Sequence, residues 1–169
     1  MRRVVVFDTS VLCVWLEVPG RETCGPADDF WDRERVQALI IEETDQRSTF
    51  VLPLATIIET GNHVAQAGKR RLETARALMV LLGRALDEEE PWAAFSQQAD
   101  LWGDENLRRL VQEWPQLAQS ALSLGDATIS RVADFYARTG AEVMIATGDQ
   151  GLKAYQPAAP VRQPRRRRR

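Results

Sequence analysis

Four acidic residues of this chain stand where carboxylates could gather around a metal ion: Asp8, Glu59, Asp126 and Asp149. Asp8 directly follows an apolar run, Asp149 closes another, and Glu59 comes shortly after a third. Asp126 opens a helix-like stretch. If the apolar runs are neighbouring strands of one parallel sheet, these acids meet at the same edge. Two carboxylates ~4 Å apart repel each other by about 4 kcal/mol at an effective dielectric of ~20, and a bound divalent cation is the usual reason that proteins tolerate this cost.

Each of the four acids also has an ordinary local interpretation. Asp8 fits an Asx turn at a strand end, and Asp149 fits a turn between glycines. Thr56 and Glu59 have the spacing of a capping box, and Asp126 is a good helix N-cap. Taken together, the acids offer hard oxygen ligands with no His or Cys among them, which favours Mg²⁺ or Mn²⁺ over zinc.

The elements that must position these acids follow from the apolar periodicity. Continuous β-branched runs indicate buried strands, and apolar residues at helical spacing indicate amphipathic helices. Thr9 and Ser10 are predicted to cap the first helix. The predicted strands cover 3–8, 49–52 and 142–147, with a further short strand at 92–96; the predicted helices cover 11–17, 30–46, 56–67, 70–87, 104–114 and 126–138. This alternation predicts an α/β fold with a parallel sheet.

Four short segments around the acids resemble the motifs of PIN-domain nucleases, in the order in which that family has them. They are Phe7-Asp8-Thr9-Ser10-Val11-Leu12, Ile57-Ile58-Glu59, Gly125-Asp126-Ala127-Thr128-Ile129 and Ala146-Thr147-Gly148-Asp149. The resemblance implies a three-layer α/β/α fold with a central, mostly parallel sheet flanked by helices. We expect this PIN-like domain to cover residues 1–156.

The same resemblance implies a function, which is metal-dependent hydrolysis of phosphodiester bonds in RNA. Asp8 and Asp126 are expected to ligate Mg²⁺ or Mn²⁺ directly, Asp149 to ligate it directly or through water, and Glu59 to ligate it or orient the attacking water. Many bacterial members of this family are VapC-type toxins held by an antitoxin, so an antitoxin is an expected partner. Hydrogen bonds that support the acids are expected from Thr9, Ser10 and Thr147.

Two features depart from the commonest pattern of the family, and other functions stay open. Ser10 stands where many members carry Asn, and 66 residues separate Glu59 from Asp126, more than compact toxins usually have. The main alternative is a PIN-like nucleic-acid or protein binding module without catalysis. A haloacid-dehalogenase-like phosphatase is disfavoured because its motif requires an Asp at position 10. A dinucleotide-binding enzyme is disfavoured because no Gly-rich turn follows the first strand.

Two basic segments are candidates for contacts with nucleic acid. Lys69, Arg70 and Arg71 stand at a predicted helix start, where cations are mildly unfavourable, which favours a binding role. Six of the 22 basic residues, Arg162 and Arg165 to Arg169, lie in the last eight positions, so the rest of the chain has a net charge of −8. The tail of residues 157–169 is expected to be disordered and to contact nucleic acid, the acidic body or an acidic partner.

The remaining candidates are aromatic residues and the single histidine. Trp92 and Trp102 flank polar segments and are the tryptophans most suited to base or partner contacts. His63 lies one helical turn after Glu59, where a surface or structural role is the simpler interpretation and a proton-shuttle or substrate contact the alternative.

Bulk composition indicates one globular cytosolic domain. The chain has 169 residues, of which 44% are hydrophobic and 27% are charged, and no apolar run is long enough for a membrane span. The two cysteines, Cys13 and Cys24, match no zinc pattern. The sequence leaves open the choice of RNA or DNA, the RNA target, one metal or two, and homodimerisation.

Overall fold

The computed structural model describes residues 2–160, and its centre is a sheet of three parallel strands. The strands are β1 (Arg3–Phe7), β2 (Thr49–Val51) and β3 (Glu142–Ala146), in the spatial order β2-β1-β3. Strand β1 is central because its continuous valine run can be buried on both faces, as is typical of parallel sheets. Val5 is in register with Phe50 on one side and with Met144 on the other. The predicted α/β class and parallel sheet are confirmed.

Seven α-helices within residues 2–160 surround this sheet. They are α1 (Thr9–Trp15), α2 (Arg33–Asp45), α3 (Leu54–Gln66), α4 (Arg71–Leu86), α5 (Asp104–Gln119), α6 (Leu124–Arg138) and α7 (Gln150–Lys153). Two 3₁₀ helices, Ala27–Asp29 and Phe95–Trp102, lie in the connections. In the described part of the chain, no helix is long and apolar enough to cross a bilayer.

Helices cover both faces of the sheet because side chains alternate along β1. Val5 and Phe7 pack into one core cluster with residues of α1, α2 and α4, whereas Val4 and Val6 pack into a second cluster with residues of α6. The period of two in a strand therefore produces two apolar layers from one short run.

An aromatic group fills the first of these cores. Phe7 contacts Phe50 edge-on, with ring centroids 5.3 Å apart, and Trp15 stacks on Trp92 with centroids 6.0 Å apart. Trp92 is only 6% exposed, so the prediction that it contacts bases or a partner is wrong. Trp102 is partly buried.

Several element boundaries differ from the predicted ones for local reasons. Helix α3 begins at Leu54, directly after Pro53, whose backbone is extended and which has no N–H to donate. The predicted strand at 92–96 is a single bridge between Phe50 and Trp92, followed by the 3₁₀ helix. Helix α5 continues past Pro115 to Gln119.

The parallel topology brings the carboxyl ends of β1 and β3 side by side. Phe7 pairs with Ala146, and the amide of Asp8 donates to the carbonyl of Ala146 at 3.1 Å. The residues that follow the two strands therefore begin at the same edge of the sheet. The candidate site lies at that edge.

Candidate active site

All four predicted acids line one pocket at the carboxyl edge of the sheet. Asp8 follows β1, Glu59 lies on α3, Asp126 lies in the first turn of α6, and Asp149 follows β3. The pocket has a volume of about 260 Å³. Four elements that are distant in sequence thus contribute one carboxylate each to a single cavity.

Asp8 is the most firmly held of the four acids. It is 4% exposed and is the N-cap of α1, so the prediction that Thr9 and Ser10 cap this helix is wrong. Its Oδ1 accepts from the Thr9 amide at 2.6 Å, and its Oδ2 accepts from the Ser10 amide and hydroxyl at 3.3 Å and 2.6 Å. Thr147 Oγ1 also donates to Oδ2, at 2.8 Å. These donors fix the orientation of the carboxylate.

Two hydroxyl groups join the ends of β1 and β3. Thr147 Oγ1 donates to Asp8 and accepts from the Asp149 amide at 2.9 Å. Ser10 Oγ also donates to Asp8 and accepts from the Gly148 amide at 3.0 Å. Each hydroxyl therefore serves as donor and acceptor, and together they hold the Asp149 turn against Asp8.

Glu59 turns towards the pocket because the predicted capping box does not form. Helix α3 starts two residues before Thr56, so Thr56 cannot be its N-cap, and its Oγ1 instead donates to the carbonyl of Phe7 at 2.8 Å. Glu59 Oε2 accepts from Thr9 Oγ1 at 2.9 Å. The three side chains predicted to support the acids, Thr9, Ser10 and Thr147, thus all contact an acid of the pocket.

Gly125 lets α6 approach Glu59 closely. A Cβ atom at position 125 would overlap Glu59 Oε1 and lie 2.9 Å from Glu59 Cδ. The glycine therefore gives the Glu59 carboxylate the space that it occupies. It is the reason that the first turn of α6, with Asp126, can lie against the carboxylate of α3.

Asp126 is the third residue of α6. The prediction that it is the N-cap of this helix is wrong. The cap is Ser123, whose Oγ accepts from the Asp126 amide at 3.0 Å and donates to Asp126 Oδ2 at 2.7 Å. Ser and Asp at this spacing form a capping pair in which the hydroxyl is shared. The aspartate side chain still lines the pocket.

Asp149 is the N-cap of the short helix α7. It lies in the connection between β3 and this helix, where the sequence predicts a turn. Its Oδ1 accepts from the amides of Gly151 and Leu152 at 2.6 Å and 3.1 Å. The carboxylate therefore combines a capping role with its position on the pocket wall.

Electrostatic crowding is visible in two of the carboxyl groups. Burial raises the pKa of Glu59, the hydrogen bond from Thr9 opposes this, and the charges of Asp126 and Asp8 raise it further. Burial also raises the pKa of Asp126, against the hydrogen bond from Ser123 and with the charges of Asp8 and Asp149. Within residues 2–160, no lysine or arginine forms an ion pair with any of the four acids. Their mutual repulsion is therefore not offset inside the fold.

The donor chemistry of the pocket fits a hard divalent cation, but the side chains are not arranged around one. In the described structure, no three acidic, histidine or cysteine side chains lie close enough together to hold one ion. Each carboxylate instead accepts hydrogen bonds from neighbouring hydroxyl or amide groups. Direct ligation by three carboxylates therefore requires some of these hydrogen bonds to be exchanged for the ion.

Histidine and cysteine side chains also line the pocket, in addition to the four predicted acids. Cys13, Cys24 and His63 line it beside the acids. Burial raises the pKa of the Cys13 thiol to about 11, and burial also raises the pKa of Cys24. The thiolate is the form that binds soft metals, so burial makes both cysteines poorer ligands.

The loop between α1 and α2 supplies residues that the sequence did not place at the site. Arg21, Thr23 and Cys24 line the pocket. A Cβ at Gly148 would lie 2.7 Å from Cys24 Sγ, so this loop packs directly on the turn after β3. The only local signal was the Pro19-Gly20 turn, which predicts a change of chain direction but no contact partner.

The basic residues predicted to contact nucleic acid lie elsewhere. Lys69, Arg70 and Arg71 do not line the pocket; Arg70 forms an ion pair with Glu73, and Arg71 donates to the carbonyl of Ala67. Arg165 and the rest of the arginine tail lie outside the described residues. Their predicted role in nucleic-acid binding stays a prediction.

Comparisons of the chain with protein-family models, with curated proteins and with solved structures found no match. Support for a function therefore comes from the pocket, its charge and the elements that build it.

Proposed function

We propose that the protein is a metal-dependent endoribonuclease with a PIN-like fold, which hydrolyses phosphodiester bonds of RNA with Mg²⁺ or Mn²⁺. One observation carries the proposal: four carboxylates from four separate elements line a single pocket, and none of them is paired with a basic side chain in residues 2–160. A site that gathers negative charge without neutralising it is suited to binding a cation.

The fold supports this proposal at a coarser level. A three-stranded parallel sheet with helices on both faces is compatible with a PIN-like three-layer architecture. The pocket lies outside the carboxyl ends of the strands, where open α/β sheets commonly bind their ligands.

The acids have different proposed roles because their surroundings differ. Asp8 and Asp126 would hold the ion, and Asp149 would hold it directly or through water. A bound Mg²⁺ or Mn²⁺ neutralises charge on the phosphodiester and lowers the pKa of a bound water. Glu59, whose pKa is raised, is the best placed to orient the attacking water and accept its proton.

The proposed reaction is one hydrolytic displacement. The water oxygen forms a bond to phosphorus while Glu59 accepts the proton of the water, the bond from phosphorus to the leaving oxygen breaks, and the leaving oxygen takes up a proton from solvent. Thr9, Ser10 and Thr147 take no part in these bond changes. Their hydrogen bonds keep Glu59 and Asp8 in place.

Replacement of Asp126 by Asn tests the proposal. We expect wild-type protein to cleave RNA with Mn²⁺ and to lose cleavage with a chelator, and we expect Asp126→Asn to reduce the rate by at least about a hundredfold, the scale of losing one group that stabilises transition-state charge. Mixed RNA and DNA substrates would be incubated side by side. The matched control is Asp104→Asn, in an exposed aspartate of the first turn of α5.

Two outcomes of that assay would contradict the proposal. Wild-type protein that cleaves neither nucleic acid with Mn²⁺ would refute the nuclease assignment. Undiminished cleavage by Asp126→Asn would refute the assignment of this pocket.

The second candidate is a PIN-like binding module without catalysis. The observation that favours it is that no three potential ligands in the described residues are arranged around an ion, and that every acid accepts hydrogen bonds within the fold. Such a module would bind a nucleic acid or a protein without cleaving RNA and without requiring Mn²⁺. The same cleavage assay distinguishes the two.

A further inference from the structure

A single arginine, Arg21, lines the pocket that contains the four acids. A phosphodiester is itself an anion, so four uncompensated carboxylates repel it at the distances of a small pocket. A cation held by the acids would offset part of this repulsion, and positive charge on the pocket wall would offset more. Arg21 is the lining residue that supplies such charge, since burial lowers the pKa of His63 and favours its neutral form.

The position of Arg21 is fixed by a tight turn. The Arg21 amide donates to the carbonyl of Val18 at 2.8 Å, Pro19 occupies the second position of the turn, and Gly20 has a φ of +83°. These are the features of a type II turn. Val18 is fully buried and its amide donates to the carbonyl of Cys13, so the turn is attached to the core.

The guanidinium group of Arg21 has no partner in residues 2–160. It forms no ion pair and donates no side-chain hydrogen bond there, although four carboxylates line the same pocket. By contrast, Arg35 and Arg131 are each bonded to a carboxylate at 2.7 Å. Arg21 is exposed, so its donors are free on the wall of the pocket.

Arg21 lies on the side of the pocket formed by α1 and α3. Its charge contributes to lowering the pKa of His63, after the larger effect of burial, and it opposes the raised pKa of Cys13. His63 is on α3, one turn beyond Glu59. Arg21 is therefore close enough to His63 and Cys13 for its charge to act on both side chains.

We propose that Arg21 binds the scissile phosphodiester, donating from its guanidinium group to non-bridging phosphate oxygens while the acids hold the cation. The planar fork of arginine matches phosphate with two parallel hydrogen bonds, which lysine cannot reproduce. This inference rests on the proposed nuclease function, and it assigns the substrate-binding side of the same pocket.

The test compares Arg21→Ala and Arg21→Lys with the wild type. The control is Arg108→Ala, an exposed arginine of α5 that does not line the pocket and forms no ion pair within the described residues. Cleavage of a single-stranded RNA would be measured with Mn²⁺ to separate kcat from KM. Binding of the same RNA would be measured by fluorescence anisotropy with Ca²⁺ in place of Mn²⁺.

We expect Arg21→Ala to lower kcat/KM and to weaken RNA binding by roughly tenfold or more, the scale of one charge-assisted hydrogen bond. Arg21→Lys should recover part of the binding and less of kcat, because charge is kept and the fork is lost. Mn²⁺ affinity without RNA should stay equal or increase, since a positive charge has left the pocket.

The two proposals fail in different ways. A wild type that does not cleave RNA overturns the nuclease function, and the role of Arg21 with it. An active wild type with Arg21→Ala indistinguishable from Arg108→Ala overturns only the role of Arg21. Weaker Mn²⁺ binding by Arg21→Ala, with unchanged RNA binding, would also overturn it and would make Arg21 a structural element of the acidic wall.

Discussion

The buried acid on α2 has a basic partner, whereas the acids at the carboxyl edge of the sheet have none within residues 2–160. Glu43 is 1% exposed, lies 2.7 Å from the guanidinium of Arg3 and accepts from the Ser48 hydroxyl at 2.6 Å. Asp8, at 4% exposed, receives only hydroxyl and amide donors, and no basic side chain of residues 2–160 pairs with it. The charge of Glu43 is thus neutralised by a neighbouring arginine, and the charge of Asp8 is not.

The same contrast appears at the surface. Asp29 is bonded to Lys153 and Arg35, which lower its pKa to about 2. The pKa of Glu59 and of Asp126 is raised instead, first by burial and then by neighbouring acids. The opposite directions follow from the surroundings, since Asp29 has cations as partners, whereas the pocket acids are partly buried and have other acids as neighbours. Such crowding of acids is common at functional sites, where stability is given up for binding.

The largest expected effect on stability comes from breaking the Glu43 pair. Arg3→Met would leave a buried carboxylate without its cation, a change that typically costs ~3–5 kcal/mol. Because the Arg3 side chain is 33% exposed, we expect a loss of about 2 kcal/mol in the free energy of unfolding, measured with urea. The control is Arg33→Met, which breaks the exposed pair with Glu17 and should cost less than ~1 kcal/mol. Equal losses in both variants would show that the buried pair contributes no more to the free energy of unfolding than the exposed pair.

A smaller effect on stability, with a clear effect on function, is expected for Gly125→Ala. The new methyl group would overlap the carboxylate of Glu59, which can move because it is the end of a flexible side chain. Replacing a helical glycine by alanine also gains ~0.5–1 kcal/mol, so the net change in stability should lie within about 1 kcal/mol. Cleavage should nevertheless fall by about tenfold or more, since a small misplacement of a catalytic group is costly.

Gly83→Ala in α4 is the matched control, because a Cβ there meets nothing within 4 Å. It should stabilise the protein and leave cleavage unchanged. If Gly125→Ala keeps full activity, the carboxylate of Glu59 does not need its present position.

The smallest expected effect is on the pH dependence of stability in the metal-free protein. A carboxyl group whose pKa is raised on folding stabilises the fold below its unfolded pKa, and this is lost as the pH rises through the folded pKa. For Asp126 the loss therefore begins near pH ~4 and extends upward. For Asp29, whose folded pKa is about 2, stability is instead lost as the pH falls from ~4 towards that value.

Urea unfolding of the protein in the presence of a chelator, at pH values below and above ~4, measures the free energy of unfolding for each variant. Asp126→Asn should flatten the curve above pH ~4, and Asp29→Asn should flatten it below. If both variants show the same dependence of the free energy of unfolding on pH, the paired Asp29 and the crowded Asp126 do not differ in the way that we expect.

The sequence was a good guide to elements whose signal is local and continuous. The valine run of β1 is buried on both faces and ends where Asp8 begins, so the position of Asp8 followed directly from its neighbours. The strand at 142–147 was found for the same reason, since its apolar run admits few other interpretations.

Caps were harder to assign because several polar residues compete within a few positions. Ser123 lies three residues before Asp126, and either can cap a helix; only the position of the first turn decides between them. The Thr56-Glu59 capping box failed because Pro53 started α3 earlier.

Contacts between distant segments were not accessible from local patterns at all. The loop that carries Arg21 and Cys24 reaches the pocket by packing on Gly148, more than 120 residues away along the chain. Trp92 follows the polar segment at 88–90, yet the tertiary structure places it between Trp15 and Phe50. Shape complementarity in a core decides such positions, and spacing in the sequence does not encode it.

Titration with Mn²⁺ tests most directly whether the four acids of the pocket bind a cation. Isothermal titration calorimetry would compare the wild type with Asp126→Asn and with the control Asp104→Asn. We predict saturable binding to the wild type and to the control, and binding at least about tenfold weaker to Asp126→Asn, because one charged ligand of the ion is lost. Absence of Mn²⁺ binding to the wild type, or equal affinity in all three proteins, would contradict the assignment of this pocket as a metal site.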